Sequence, residues 1–140
     1  MGKDILIKIW DNEQDNDFSC NDIIQAHTQD IKIVKWCHND DVLYSGSYDN
    51  TIKLWRYDES QEAWGNLNTL SAHSSTVWGI DISQNGKILV SCSDDKSIII
   101  WYVKGYDNIV KLSQLTGFHQ RTVFSCSLDS SAQIMATVNL

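Results

Sequence analysis

The chain has 140 residues, of which 42% are hydrophobic, with six Trp, no Pro and a net charge of −7. This apolar and aromatic load belongs to a folded chain rather than a disordered one, and the acidic balance without a Lys/Arg cluster argues against a phosphate-binding surface. No apolar run reaches the length of a membrane span, and the N-terminus lacks the basic and apolar blocks of a signal peptide.

In chain order, Met1-Gly2 does not begin a myristoylation signal, because Leu6 stands where Ser or Thr is required. Residues 5–10 and about 19–25 read as two short strands. Residues about 31–70 read as four more. Among these, Ile33-Val34-Lys35-Trp36, Val42-Leu43-Tyr44 and Ile52-Lys53-Leu54-Trp55 are rich in β-formers, and Ser47-Tyr48-Asp49-Asn50 is a polar turn. Asp58, Glu59 and Glu62 mark a short acidic link from Tyr57 to Trp64.

Residues about 77–115 repeat the four-strand pattern. Asn85-Gly86 separates Ile80-Asp81-Ile82 from Lys87-Ile88-Leu89-Val90 and predicts a tight hairpin in which both central residues take positive φ. Ser93-Asp94-Asp95-Lys96 is the next polar turn, before Ile98-Ile99-Ile100-Trp101. Residues about 122–139 supply two final strands. No segment carries a helical apolar stripe.

A period runs through these elements. His27, His73 and His119 recur every 46 residues, and Asp4, Asp49 and Asp95 are each followed six residues later by Trp10, Trp55 and Trp101. Ser45 and Ser91 stand four residues before their Asp, and Thr137 occupies the corresponding place after His119. Four strands per period of about 45 residues is the arithmetic of one propeller blade. The His, Ser, Asp and Trp at these intervals resemble the structural tetrad of WD repeats. That resemblance implies an all-β WD-repeat β-propeller, with two complete four-stranded blades flanked by two half-blades in an incomplete ring. The divisions are 1–26 (end of one blade), 27–72 and 73–118 (complete repeats) and 119–140 (start of another).

The implied tetrads are His27-Ser45-Asp49-Trp55 and His73-Ser91-Asp95-Trp101, with Asp4, Trp10, His119 and Thr137 as partial sets. In each, the indole donates, Ser and His relay, and Asp accepts, each link contributing roughly 0.5–1.5 kcal/mol net. A hydrolytic triad would require one constellation at a cleft, whereas this one recurs with the blades and includes Trp. The off-period His38 reads as a solvated loop residue, with a partner contact as the sharper option. Cys20, Cys37, Cys92 and Cys126 form no C-x-x-C pair and read as buried reduced thiols. No metal or cofactor is expected.

Propellers close with about four to eight blades, so the reading is of part of a larger ring. The missing blades come either from the same propeller or from a second chain docked head to tail. Ile98-Ile99-Ile100-Trp101 is expected on the exposed flank.

His27-Thr28-Gln29-Asp30-Ile31-Lys32, the stretch from Ser47 to Trp55, His73-Ser74-Ser75-Thr76-Val77-Trp78 and the stretch from Ser91 to Ile98 resemble middle blades of the Ciao-type WD-repeat adaptors of cytosolic iron–sulfur protein assembly. The acidic link from Tyr57 to Trp64 resembles that family's blade connection. Departures are Ala26, Ala72 and Phe118 in place of the Gly before His, and an Asp after only Trp10 among the tetrad Trp residues.

The resemblance implies a non-enzymatic scaffold in the complex that targets clusters to apoproteins. It would dock assembly factors and a client-recognition subunit, bind no nucleic acid or membrane, and reside in the cytoplasm or also the nucleus. Other WD-repeat adaptors (ubiquitin-ligase receptors, chromatin subunits), a propeller enzyme and a self-assembling structural propeller are the alternatives. WD-repeat proteins bind partners on the top rim. Counting from each His gives Asp30, Lys32, Thr76, Trp78, Thr122 and Phe124 there, and the residues before each turn Asp add Lys3, Tyr48 and Asp94. The alternative for Trp78 and Phe124 is packing between blades.

Overall fold

In the computed structural model, residues 5–139 are described, and they form twelve antiparallel strands without a helix. Strands β1 (Leu6–Gln14) and β2 (Asp17–Gln25) make a two-stranded sheet. Strands β3 (Ile31–Cys37), β4 (Val42–Ser47), β5 (Ile52–Asp58) and β6 (Ala63–Leu70) make a four-stranded sheet in chain order. A second four-stranded sheet holds β7 (Val77–Ile82), β8 (Ile88–Ser93), β9 (Ile98–Gly105) and β10 (Asn108–Leu115). Strands β11 (Val123–Leu128) and β12 (Met135–Asn139) pair as the last sheet. This is the expected architecture of two complete blades and two pairs of strands.

The sheets stack face to face, so the core lies between blades. Val42, Tyr44, Ile52, Leu54, Val77, Leu89, Ile99 and Trp101 fill the space between the two four-stranded sheets. Ile7, Ile24 and Ala26 pack on Leu43 and Trp55, and Val90, Cys92 and Ile98 pack on Val123 and Cys126. A middle strand is thereby covered on both faces. All six residues of β4 are buried, whereas β10, at the outer edge, has no fully buried residue.

The expected exposure of Ile98-Ile99-Ile100-Trp101 is not observed. Ile98 is 3%, Ile99 0% and Trp101 4% exposed, because β9 lies between β8 and β10 with a sheet against each face. Exposed apolar side chains include Leu6, Trp10 and Ile23 on the first pair of strands, Val138 on the last and Ile134 in the turn before it.

Turn chemistry explains the hairpins. Asn50 and Lys96 take φ of 74° and 67° at the ends of the two polar turns, each donating its N–H to the carbonyl of Ser47 or Ser93. At Asn85-Gly86 the hairpin forms, but only Gly86 has positive φ (72°). The Gly86 N–H bonds the Ser83 carbonyl in a turn that begins one residue earlier than a tight type I′ loop would. The two-residue loop with both φ positive is Asp15-Asn16, at 43° and 73°, between the paired Gln14 and Asp17. The acidic link from Tyr57 to Trp64 proves to be the hairpin between β5 and β6, inside one blade rather than between blades. Cys37, Cys92 and Cys126 are buried, but Cys20 is exposed on the outer strand β2.

One buried charge joins three sheets. Asp81, 9% exposed on β7, accepts the Leu128 N–H from β11 at 2.7 Å and lies 3.6 Å from the Lys35 ammonium on β3. A buried carboxylate persists only with such partners. It is a polar clamp at the inner edge of the stack.

Candidate functional site

Each four-stranded sheet carries a continuous chain of hydrogen bonds. Trp55 Nε1–H donates to Ser45 Oγ at 3.0 Å, Ser45 Oγ lies 2.7 Å from His27 Nε2, and His27 Nδ1 lies 2.8 Å from Asp49 Oδ2. The second set has Trp101 to Ser91 at 3.0 Å, Ser91 to His73 at 2.8 Å and His73 to Asp95 at 2.8 Å. One assignment satisfies every atom: the indole N–H donates to Ser, the Ser hydroxyl donates to Nε2, and Nδ1–H donates to the carboxylate.

Hydroxyls that the spacing argument did not use complete the chain. Thr51 and Ser97 donate both N–H and Oγ–H to Asp49 and Asp95. Ser47 and Ser93 accept the N–H of the same Asp residues. Both pairs recur at 46 residues, so the repeat that revealed the His residues also contained this signal.

The third and first sets are partial. His119 Nε2 lies 2.9 Å from Thr137 Oγ1, and Trp10 is 52% exposed. Asp4 lies outside the described residues, as does Lys3. Ser45 and Ser91 are fully buried, which leaves no route from their hydroxyls to a substrate. Among the described residues, no three of His, Cys, Asp and Glu gather to hold a metal ion.

Burial lowers the His27 and His73 imidazoles from their ordinary range, although their Asp partners pull the other way. Burial alone would raise Asp49 and Asp95, but hydrogen bonds from Thr51 and His27, and from Ser97 and His73, hold both below the usual carboxylate range. With the imidazoles neutral at pH 7, the His–Asp link is a hydrogen bond and not an ion pair.

The sign of the pH dependence follows. Below the ordinary histidine value of 6.5 the unfolded chain takes up protons that the folded chain refuses, so stability declines as pH falls. A second loss begins below about 3.8, where Asp49 and Asp95 protonate first in the unfolded chain. Urea midpoints should hold between pH 8 and 7 and drop by pH 5; a flat midpoint across that window contradicts neutral buried imidazoles.

The candidate rim residues do not all lie where counting from His puts them. Thr76 is buried at 4% exposure, and its carbonyl accepts the Asp94 N–H. Thr122 donates its hydroxyl to Asp94, which also accepts from Ser75 at 3.1 Å. Asp30 lies 3.6 Å from the Lys32 ammonium.

The remaining four residues make a row across three sheets. The Lys32 ammonium lies 6.0 Å from the Tyr48 ring centroid and 5.0 Å from that of Trp78, and Trp78 meets Phe124 edge-on at 5.1 Å. Trp78 and Phe124 therefore pack between blades. Tyr48 is 57% exposed, and Trp78 Nε1 is buried without an acceptor among the described residues. His38 is exposed in the turn after β3.

Known proteins share the repeat. The family model for the WD domain, G-beta repeat, matches residues 18–56 and 64–102, together more than half of the chain. Its two matches begin near the outer strand of one sheet and end in the third strand of the next, so the sequence repeat straddles two structural blades.

A probable cytosolic iron-sulfur protein assembly protein CIAO1 homolog of Ixodes scapularis is 35% identical over 80% of this chain and 35% of its own length. A probable cytosolic iron-sulfur protein assembly protein 1 of Neurospora crassa is 36% identical over 59% of this chain and 22% of its own. Polyadenylation factor subunit 2 of Candida albicans is 36% identical over 60% of this chain and 14% of its own. The chain thus spans about a third or less of the length of these curated relatives. With its repeating hydrogen-bond chain and its stacked four-stranded sheets, the chain belongs to the WD domain, G-beta repeat family.

Proposed function

We propose that this chain is a protein-interaction scaffold of cytosolic iron–sulfur protein assembly, acting in the complex that targets clusters to apoproteins. The observation that carries the reading is its likeness, over 80% of its length, to a protein named for that process. The geometry supports a binding role. Tyr48, Lys32, Trp78 and Phe124 form an aromatic and cationic row across three sheets, the composition of an interface hot spot.

On this reading the row docks an assembly factor or a client-recognition subunit in the cytoplasm. The apolar faces bearing Trp10 and Val138 take further WD blades, from the same propeller or from a second copy.

The test is affinity capture from cell extract on the 140-residue chain, beside its Lys32→Glu, Tyr48→Ala double variant. The chain should retain iron–sulfur assembly proteins, and the variant should lose them by about tenfold or more, as removal of a hot-spot contact implies. Recovery of RNA-processing factors instead would favour the kinship with the polyadenylation factor. Capture of neither, or equal capture by both proteins, rejects the proposal.

A further inference from the structure

At the opposite end of the β3–β6 sheet from the tetrad lies an open cleft of about 460 Å³. Strands β3 and β5 both run away from the tetrad, so the turn at residues 38–41 and the hairpin at 59–62 meet at this end. Three aromatic rings form its floor. Trp36 and Trp64 have centroids 6.0 Å apart with planes tilted by 58°, and Tyr57 meets Trp64 at 6.0 Å and 67°. None of these rings stacks flat on another, and Trp36 and Tyr57 remain 41% and 39% exposed. Part of the Trp36 and Tyr57 ring surface is therefore open to a ligand.

Carboxylates surround the floor. Asp40, Asp41 and Glu59 line the cleft with a single cation, Arg56. That cation is engaged elsewhere, its guanidinium lying 5.0 Å from the Tyr106 ring centroid. Asp40 is engaged too, accepting the Tyr106 hydroxyl at 2.6 Å. Asp41 and Glu59 are exposed and have no ion-pair partner among the described residues.

The negative faces of the rings and the surplus of carboxylates favour the same ligand charge. An anion would meet net repulsion, and a neutral apolar group would gain nothing from the acidic wall. The space exceeds one side chain and accommodates a few residues of extended peptide.

We propose that this cleft binds a lysine or arginine side chain of a partner protein, on the face opposite the aromatic rim row. The site does not depend on the iron–sulfur reading. A WD scaffold with docking surfaces on both faces can hold two proteins at once.

The experiment titrates the whole 140-residue chain with N-acetyl-arginine amide and follows the indole NMR signals of Trp36 and Trp64. N-acetyl-citrulline amide, neutral and of the same shape, is the comparison. The arginine probe should shift both indoles with a dissociation constant of about 1 mM, and the citrulline probe should bind about tenfold more weakly. Asp41→Asn with Glu59→Gln, both on exposed side chains, should weaken the arginine probe by about tenfold with an unchanged melting temperature. Equal binding of the two probes, undiminished binding to the double variant, or no shift at about 20 mM probe would overturn the proposal.

Discussion

Replacing His73 with Ala should lower the stability of the chain by about 3 kcal/mol, and its melting temperature by about 10 °C. The imidazole is the middle link of a buried chain, with Ser91 Oγ on one side and Asp95 Oδ2 on the other, each at 2.8 Å. Truncation does not merely delete two hydrogen bonds. It leaves a fully buried serine hydroxyl and a largely buried carboxylate short of a partner each, and that desolvation is what makes the loss large. It also removes one tie between the entry loop and the turn that holds Asp95, leaving those made by Ser74, Ser75 and Thr76.

His119→Ala sets the scale from the other side. Among the described residues that ring has only Thr137 as a partner, and it is not fully buried, so its loss should cost about 1 kcal/mol. His38→Ala, in an exposed turn, should stay within about 0.5 kcal/mol of the parent. Thermal denaturation of the three variants checks the ranking. A His73 variant that melts with the parent would refute the tetrad as a structural staple.

The second large effect concerns how the sheets meet. Gly79→Val should destabilise by about 2–3 kcal/mol, as overpacking of a filled interior does. A Cβ at Gly79 would stand 2.7 Å from Cys92 Sγ and 3.2 Å from both the Phe124 carbonyl oxygen and Ser125 Cα. The last two are backbone atoms of β11, in the neighbouring sheet. No rotamer change relieves them, so β7 and β11 must move apart and open the core around Val123 and Cys126. Gly65→Ala is the internal control. Its added Cβ would meet nothing nearer than the Arg56 carbonyl at 3.9 Å, so stability should change by no more than about 0.5 kcal/mol. Urea unfolding compares the two, and equal midpoints would mean that β7 and β11 do not approach as closely as described.

Much of this molecule is legible along the chain. The 46-residue recurrence of His and the fixed distances to Ser, Asp and Trp specify four strands per unit and place the turns, because all those contacts fall within one repeat. The same recurrence extends to Ser47, Thr51, Ser93 and Ser97, which capping chemistry alone would not single out. Local turn rules were less complete. Asn85-Gly86 marks a hairpin but not its type, since the Ser83 and Asn85 side chains extend the turn through their own hydrogen bonds. An apolar run such as Ile98 to Trp101 looks like a liability in sequence. Its burial depends on what stacks above and below it.

The contacts that the stacking of sheets creates have no fixed spacing. Lys32 over Trp78, Asp81 reaching Leu128, and Trp36 beside Trp64 join strands through twist and sheet-on-sheet packing. Thr76 shows the same effect in reverse: counting from His73 places it on the rim, yet its neighbours bury it. Sequence by itself determined the repeat, the strand order and the hydrogen-bonded staple within each blade, since each is set by local spacing. Only the tertiary structure decided which side chains share a surface, because that depends on the angle and distance at which one sheet lies on the next.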